Sequence, residues 1–118
     1  MSVMDTSALG LIERFLDLAT TRQSLLVSNI ANVDTPGYRT QDIAFQNELA
    51  IALGQELPSP LPAVVRQVPG LISRPDGNNV SVDREGLLLA EVQLKYQTAI
   101  QAMHAEFNTI RYAIHEGT

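Results

Sequence analysis

The chain has 118 residues, enough for one domain at most, with a net charge of −5, no cysteine and no tryptophan. The acidic balance argues against a nucleic-acid or anionic-membrane partner, since both are held by basic patches. Without cysteine there is neither a disulfide framework nor a thiolate zinc site, and either redox compartment is tolerated.

Met1 to Glu13 place no Lys or Arg ahead of an apolar run, and no small-residue cleavage site follows one, so no cleavable secretory signal is expected. No window approaches the roughly 18 uninterrupted apolar residues of a membrane span. All six prolines and four of the seven glycines fall between residues 35 and 82. Proline removes a backbone donor and clashes with the preceding helical turn, so the proline-free flanks can be long helices and the middle cannot.

From Asp5 to Val33 a heptad-like stripe runs through Leu9, Ile12, Leu16, Ala19, Gln23, Leu26, Ile30 and Val33. A second stripe, Leu11, Phe15, Leu18 and Leu25, widens the apolar face. Asp5, Thr6 or Ser7 suits the cap, and such a helix would be about 43 Å long.

The helix runs into Ser28-Asn29-Ile30-Ala31-Asn32-Val33-Asp34-Thr35-Pro36-Gly37-Tyr38. Ser28, Asn29 and Asn32 carry short polar side chains that bond to free backbone groups near a helix end. The spacing leaves two roles open for Asn29 and Asn32, capping their own helix or bonding to a neighbouring subunit. In Thr35-Pro36-Gly37-Tyr38, Pro36 fixes φ at the second turn position and Gly37 supplies the positive φ of a type II turn. Asp34 is placed to brace that turn. Tyr38 is expected to fold back with its ring on the helix and its hydroxyl outward.

Asp42 reads as the cap of a short helix, Ile43 to Leu53, stopped by Gly54. Leu57-Pro58-Ser59-Pro60-Leu61-Pro62 reads as extended polyproline backbone. Ala63-Val64-Val65 and Val80-Ser81-Val82 flank turn chemistry at Asp76-Gly77-Asn78-Asn79. A small β-hairpin and a plain loop both fit this stretch. From Asp83 to Glu116 a last helical stripe follows: Leu89, Val92, Tyr96, Ala99, Met103, Phe107, Ile110 and Ile114. Asp83 suits the N-cap, Glu85 the first turn, Gly117 the end, and Glu91 with Lys95 an i,i+4 pair.

The pattern predicts a mainly α fold, with two long terminal helices packed as an antiparallel, coiled-coil-like pair joined by a Pro/Gly-rich segment. Leu9, Ile12, Leu16, Leu26 and Ile30 are expected to face Leu89, Val92, Tyr96, Met103, Ile110 and Ile114. Such a pair leaves the stripe with Phe15 exposed, and apolar faces of that kind mark interfaces, so other chains are expected to complete the core.

Catalytic chemistry finds no foothold. His104 and His115 lie eleven residues apart without a second histidine at i+4. Nothing orients Ser24 or Ser28 toward Asp34 and a histidine, and no nucleophile elbow is present. No catalytic, metal or cofactor residue is assigned, and the chain does not read as an enzyme.

The Ser28–Tyr38 stretch resembles the N-terminal signature S-N-x-A-N-x-x-T-x-G-Y of bacterial flagellar rod and hook proteins. Arg39 to Leu49, Val82-Asp83-Arg84-Glu85, Leu94-Lys95-Tyr96-Gln97 and Phe107-Asn108 to Gly117 are similar to the proximal-rod members in particular. The resemblance implies a structural basal-body subunit, exported unfolded by the flagellar type III apparatus without signal cleavage. It implies helical polymerisation in the periplasm, transmission of motor torque and enclosure of the export channel. The implied partners are further copies, the rod proteins FlgC, FlgF and FlgG, FliE and the export gate, with no cofactor, nucleic acid or small-molecule substrate. Apart from the resemblance, the residues also leave open a soluble helical adaptor or an export-chaperone-like binding protein.

Overall fold

The computed structural model describes residues 6–54 and 62–117. Along the chain run α1 (Thr6–Ala31), β1 (Gln41–Ile43), α2 (Phe45–Leu53), β2 (Val65–Gln67) and α3 (Val82–Glu116). At about 1.5 Å per residue, α1 and α3 extend about 39 and 52 Å. Those lengths set the shape, 68 × 25 × 17 Å, with a radius of gyration of 18.2 Å. A compact domain of about 100 residues has a radius of gyration of about 13 Å.

The two long helices pack antiparallel. Asn29 of α1 bonds to Glu85 near the start of α3, while Ile12 and Phe15 share a groove with Ala99 and Ala102. This register brings the start of α1 level with Phe107. Ile110 and Ile114 lie beyond it, and no α1 residue stands opposite them among the described residues; Ile114 is 62% exposed. Among the described residues the expected pairing of Ile110 and Ile114 with α1 is therefore not seen, α1 spanning 26 described residues and α3 35.

The core gathers Leu18, Ala19 and Leu26 of α1, Ile43 of β1, Phe45 of α2 and Val92 of α3. Both α1 stripes reach the core. Ala19 and Leu26 come from the stripe expected to face inward, and from the stripe expected to stay exposed Leu18 is 0% exposed while Phe15 and Leu25 pack against the core. The cover comes from the same chain, since α2 and β1 lie on α1 beside α3. The Phe15 and Phe45 rings meet edge to face, with centroids 5.0 Å apart, and Lys95 Nζ sits 4.8 Å from the Phe45 centroid. In the heptad stripe Ala19 and Leu26 are buried, but Leu9, Leu16 and Ile30 are only half-buried. Leu9 and Leu16 lie about 180° and about 160° around the helix from Leu18, on the side turned away from α2.

The middle of the chain departs from the sequence reading at three points. Asp42 caps nothing. It belongs to β1, and Arg22 grips its carboxylate with Nε and Nη2, each at 3.1 Å, while Ala44 takes the α2 cap position without a side-chain bond. Gly54 does end α2. No strand forms at Val80–Val82 either. β2 pairs antiparallel with β1, Gln41 opposite Gln67 and Ile43 opposite Val65. Val80 is unavailable for a ladder, because its N–H donates to Asn78 Oδ1 and its carbonyl accepts from Arg74 Nη1. The α3 cap is Ser81 rather than Asp83, its Oγ accepting the Arg84 N–H at 3.3 Å, with Asp83 and Glu85 in the first turn.

Two smaller ties hold the rest. Arg14 bonds Asp17 at 3.0 Å and lies 3.7 Å from Glu48, whose other oxygen takes the Val64 N–H, so α1, α2 and the approach to β2 are linked. Glu91 and Lys95 form the expected pair at 3.1 Å. Gly117 closes α3 by donating to the Ala113 carbonyl, in right-handed backbone. The side chains of Asp5, Thr6 and Ser7 and the extended stretch 57–61 lie outside the described residues.

Candidate functional site

The site is the joint where α1 ends, the chain turns, and α3 begins. Thr35–Tyr38 is a type II turn: the Tyr38 N–H donates to the Thr35 carbonyl at 3.2 Å, and Gly37 has φ +75. Asn32 finishes α1 locally, donating to the Ser28 carbonyl at 2.8 Å and accepting from Thr35 Oγ1 at 3.0 Å. A second turn, Arg74 to Gly77, backs onto the first. Gly37 N–H donates to the Asp76 carbonyl at 2.9 Å, and a Cβ on Gly77 (φ +85) would stand 3.4 Å from Gly37 Cα. Two positive-φ glycines thus meet back to back, where side chains are disfavoured by backbone conformation. Asp76 braces the pair of turns; Asp34 and Pro36 are exposed.

Buried asparagines rivet this joint. Asn78 donates to the carbonyls of Asn32 and Thr35 at 2.9 and 2.8 Å. Asn79 Oδ1 accepts from the backbone N–H and hydroxyl of Thr40 at 2.7 and 2.9 Å. Arg74 spans the Val33 and Val80 carbonyls, and Arg39 reaches Ser73 Oγ and the Gly77 carbonyl.

Asn29 stands at the centre, 0% exposed. Its amide donates to the Gln41 carbonyl at 2.8 Å and to Glu85 Oε1 at 2.7 Å. Its Oδ1 accepts from the Gln41 N–H at 3.1 Å and the Tyr38 hydroxyl at 3.0 Å. All four hydrogen-bonding positions of the amide are filled. Asn29 therefore acts as a strand neighbour to β1 and a bridge to α3. It neither caps its own helix nor reaches outward, which corrects both expected roles. The Tyr38 hydroxyl likewise points inward, with Ser28 Oγ 3.5 Å away, because Asn29 offers it an acceptor.

Glu85 completes the centre, also 0% exposed, with Oε2 accepting from Arg84 Nη1 at 2.9 Å. Burial pushes its carboxyl above the ordinary value of 4.5, against the opposing pull of the Asn29 bond and the Arg84 charge; Asp42 adds to the rise.

The joint brings Asn29 and Tyr38 of the corner motif together with Glu85, read from the sequence only as a first-turn residue, and with residues not assigned to the site: Arg39, Thr40, Arg74, Asn78 and Asn79. The signal for the last two was an Asn pair directly before an apolar residue, where amides can satisfy crossing backbone. Chemically the arrangement fixes an angle between chain segments, its polar groups satisfied by one another. Among the described residues no group of three or more His, Asp or Glu could hold a metal ion. No described helix is long and apolar enough to cross a membrane.

The joint and the helix leading into it match known proteins. Residues 16–39 match the family described as flagella basal body rod protein. The chain is 32% identical to the flagellar basal body rod protein FlgB of Salmonella typhimurium, over 94% of this chain and 95% of that one. Against FlgB of Bacillus subtilis it is 32% identical over 90% and 92% of the two chains. Against FlgB of Buchnera aphidicola it is 31% identical over 86% and 90%. The chain belongs to the FlgB family of flagellar basal-body rod proteins. It is a structural subunit of the basal-body rod, and membership of the FlgB family implies assembly with other rod components. The matched residues 16–39 include the end of α1 and the Thr35–Tyr38 turn of the joint.

Proposed function

We propose that this chain is a proximal-rod subunit that polymerises helically with copies of itself and with FlgC, FlgF and FlgG, contacts FliE, and reaches the periplasm through the flagellar export gate without signal cleavage. In the assembled rod it transmits torque and encloses the export channel. One observation carries the reading. The α1–α3 layer is covered on one side by α2 and β1, while among the described residues no helix or strand packs across the other side. Leu9, Leu16, Met103 and Ile100 are half-buried there, Val27 is 50% exposed and Phe107 53% exposed. Helix stripes left in this condition gain their burial from neighbouring helices. The corner motif, Ser28 to Tyr38, fixes the angle at which that face is offered.

The test is Phe107→Asp in a strain that swims on this subunit. Export of the variant without its incorporation into basal bodies supports the proposal. Normal incorporation and normal swimming would refute it. An adaptor or chaperone-like role would instead leave the protein absent from purified rods.

A further inference from the structure

We propose that the outer edge of β2 is a docking site for a third strand, an extended segment of a different rod protein with an acidic residue at its centre. The β-ladder fixes which backbone groups are free. Gln41 pairs with Gln67, Asp42 with Arg66 and Ile43 with Val65, and the Val68 N–H donates to the Thr40 carbonyl at 2.9 Å. In an antiparallel ladder, hydrogen-bonded and non-hydrogen-bonded pairs alternate, so Arg66 turns its N–H and carbonyl to β1, while Val65 and Gln67 turn theirs away. The opposite edge of the sheet follows the same alternation. There Gln41 points its N–H and carbonyl outward, and the Asn29 amide takes both, at 3.1 and 2.8 Å. One edge is thus closed by a side chain that stands in for a strand. On the other, nothing among the described residues takes the outward groups of Val65 and Gln67.

Three features of this edge select the occupant. Its free groups come as an N–H and a carbonyl on alternate residues, a spacing met by extended backbone and not by a helix. Val64 and Val65 are 54% and 46% exposed, so an apolar side chain on the incoming strand gains burial there. Arg66, at the centre of β2, is exposed and its charge is unanswered, because Asp42, directly across the ladder, is held by Arg22 through both oxygens. In an antiparallel third strand Arg66 falls at a non-hydrogen-bonded pair, where side chains approach most closely, and a carboxylate opposite it is favoured. The same charge excludes a second copy as the occupant. Pairing β2 with β2 of another copy about Arg66 would set arginine against arginine, and like charges directly opposite destabilise a sheet. A charge in the middle of a short edge strand guards it against self-pairing while leaving it open to a partner of the opposite sign. That the partner is a rod protein rests on the rod-subunit reading.

The test follows the full-length chain into purified basal bodies. Gln67→Pro deletes one outward N–H and leaves the ladder to β1 intact, since proline is tolerated at an edge where its nitrogen faces out. Arg66→Glu reverses the charge, and Arg66→Lys keeps it. In all three the unfolding constant of the free chain should change less than about threefold. Expected in the rod are loss of Gln67→Pro and Arg66→Glu and normal incorporation of Arg66→Lys. Wild-type recovery of Gln67→Pro or Arg66→Glu overturns the proposal. Should either variant fail to fold, amide exchange in the wild type decides. Val65 and Gln67 should exchange at least about tenfold more slowly in basal bodies than in the free chain, and equal rates overturn the third strand. Carbodiimide, which joins an amine to a neighbouring carboxylate, should link Arg66→Lys to a different rod protein. No such link, or a link between two copies of this chain, overturns the partner assigned. A wild-type chain missing from basal bodies would overturn the rod-subunit reading itself, and the docking partner with it.

Discussion

The two ends of the helical pair are built on different principles. At the corner end, Asn29 bonds both Tyr38 and Glu85, Asn78 donates to the Thr35 carbonyl, Asn79 accepts from Thr40, and two turns lock glycine against glycine. At the far end α3 outruns the described part of α1 and shows Phe107, Tyr112 and Ile114 to solvent, at 53, 72 and 62% exposure. Buried polar networks specify one geometry, since any other arrangement leaves donors and acceptors unpaired. Exposed apolar stripes specify only that something must cover them. A rod subunit built this way carries its shape at the corner, while its exposed apolar side chains run along the helices, from Val27 and Leu87 near the corner to Phe107 and Ile114 at the far end.

Substitutions at the two ends should separate these roles. The largest effect is expected for Asn29→Ala, which strands Gln41 backbone groups, the Tyr38 hydroxyl and Glu85 Oε1 in the interior. A loss of about 3 kcal/mol in denaturant unfolding of the isolated subunit follows from unsatisfied buried groups. Phe15→Ala should cost about 2–3 kcal/mol by opening the contact with Phe45, placing Phe15 in the subunit core; a variant with unchanged stability that fails only in assembly would return it to the interface. Gly37→Val should cost about 2 kcal/mol, since a β-branched residue resists positive φ, and an unperturbed variant would contradict the type II turn. The smallest effect on the isolated chain, within about 0.5 kcal/mol, is expected for Phe107→Asp at its exposed site. The same change should abolish incorporation into basal bodies. If it unfolds the free subunit, the contrast between the ends fails.

The long helices, the type II turn and the Gly54 stop were legible because each depends on neighbours within a few residues. That both α1 stripes reach the core was not. Periodicity measures the width of an apolar face, whereas the choice between Leu16 and Leu18 depends on α2 and β1 folding back onto the helix. Asp42 looked like a helix cap because an apolar run follows it, but Arg22, twenty residues upstream, claims the carboxylate. Asn29 read as a local cap or a contact to a neighbouring subunit because it stands near a helix end, while its partners Gln41 and Glu85 lie 12 and 56 residues away. Short polar side chains carry strong local signals, and long-range partners override them where burial makes an unmet bond costly.

Amide hydrogen exchange on the free subunit and on the same chain in purified basal bodies tests the division between the two ends most directly. The account predicts that Gln41, Thr40 and the first turns of α3 are protected already in the free chain, while α3 from Phe107 onward gains protection only on assembly. Protection of that α3 segment in the free chain, or a corner that exchanges freely until the rod forms, would contradict it.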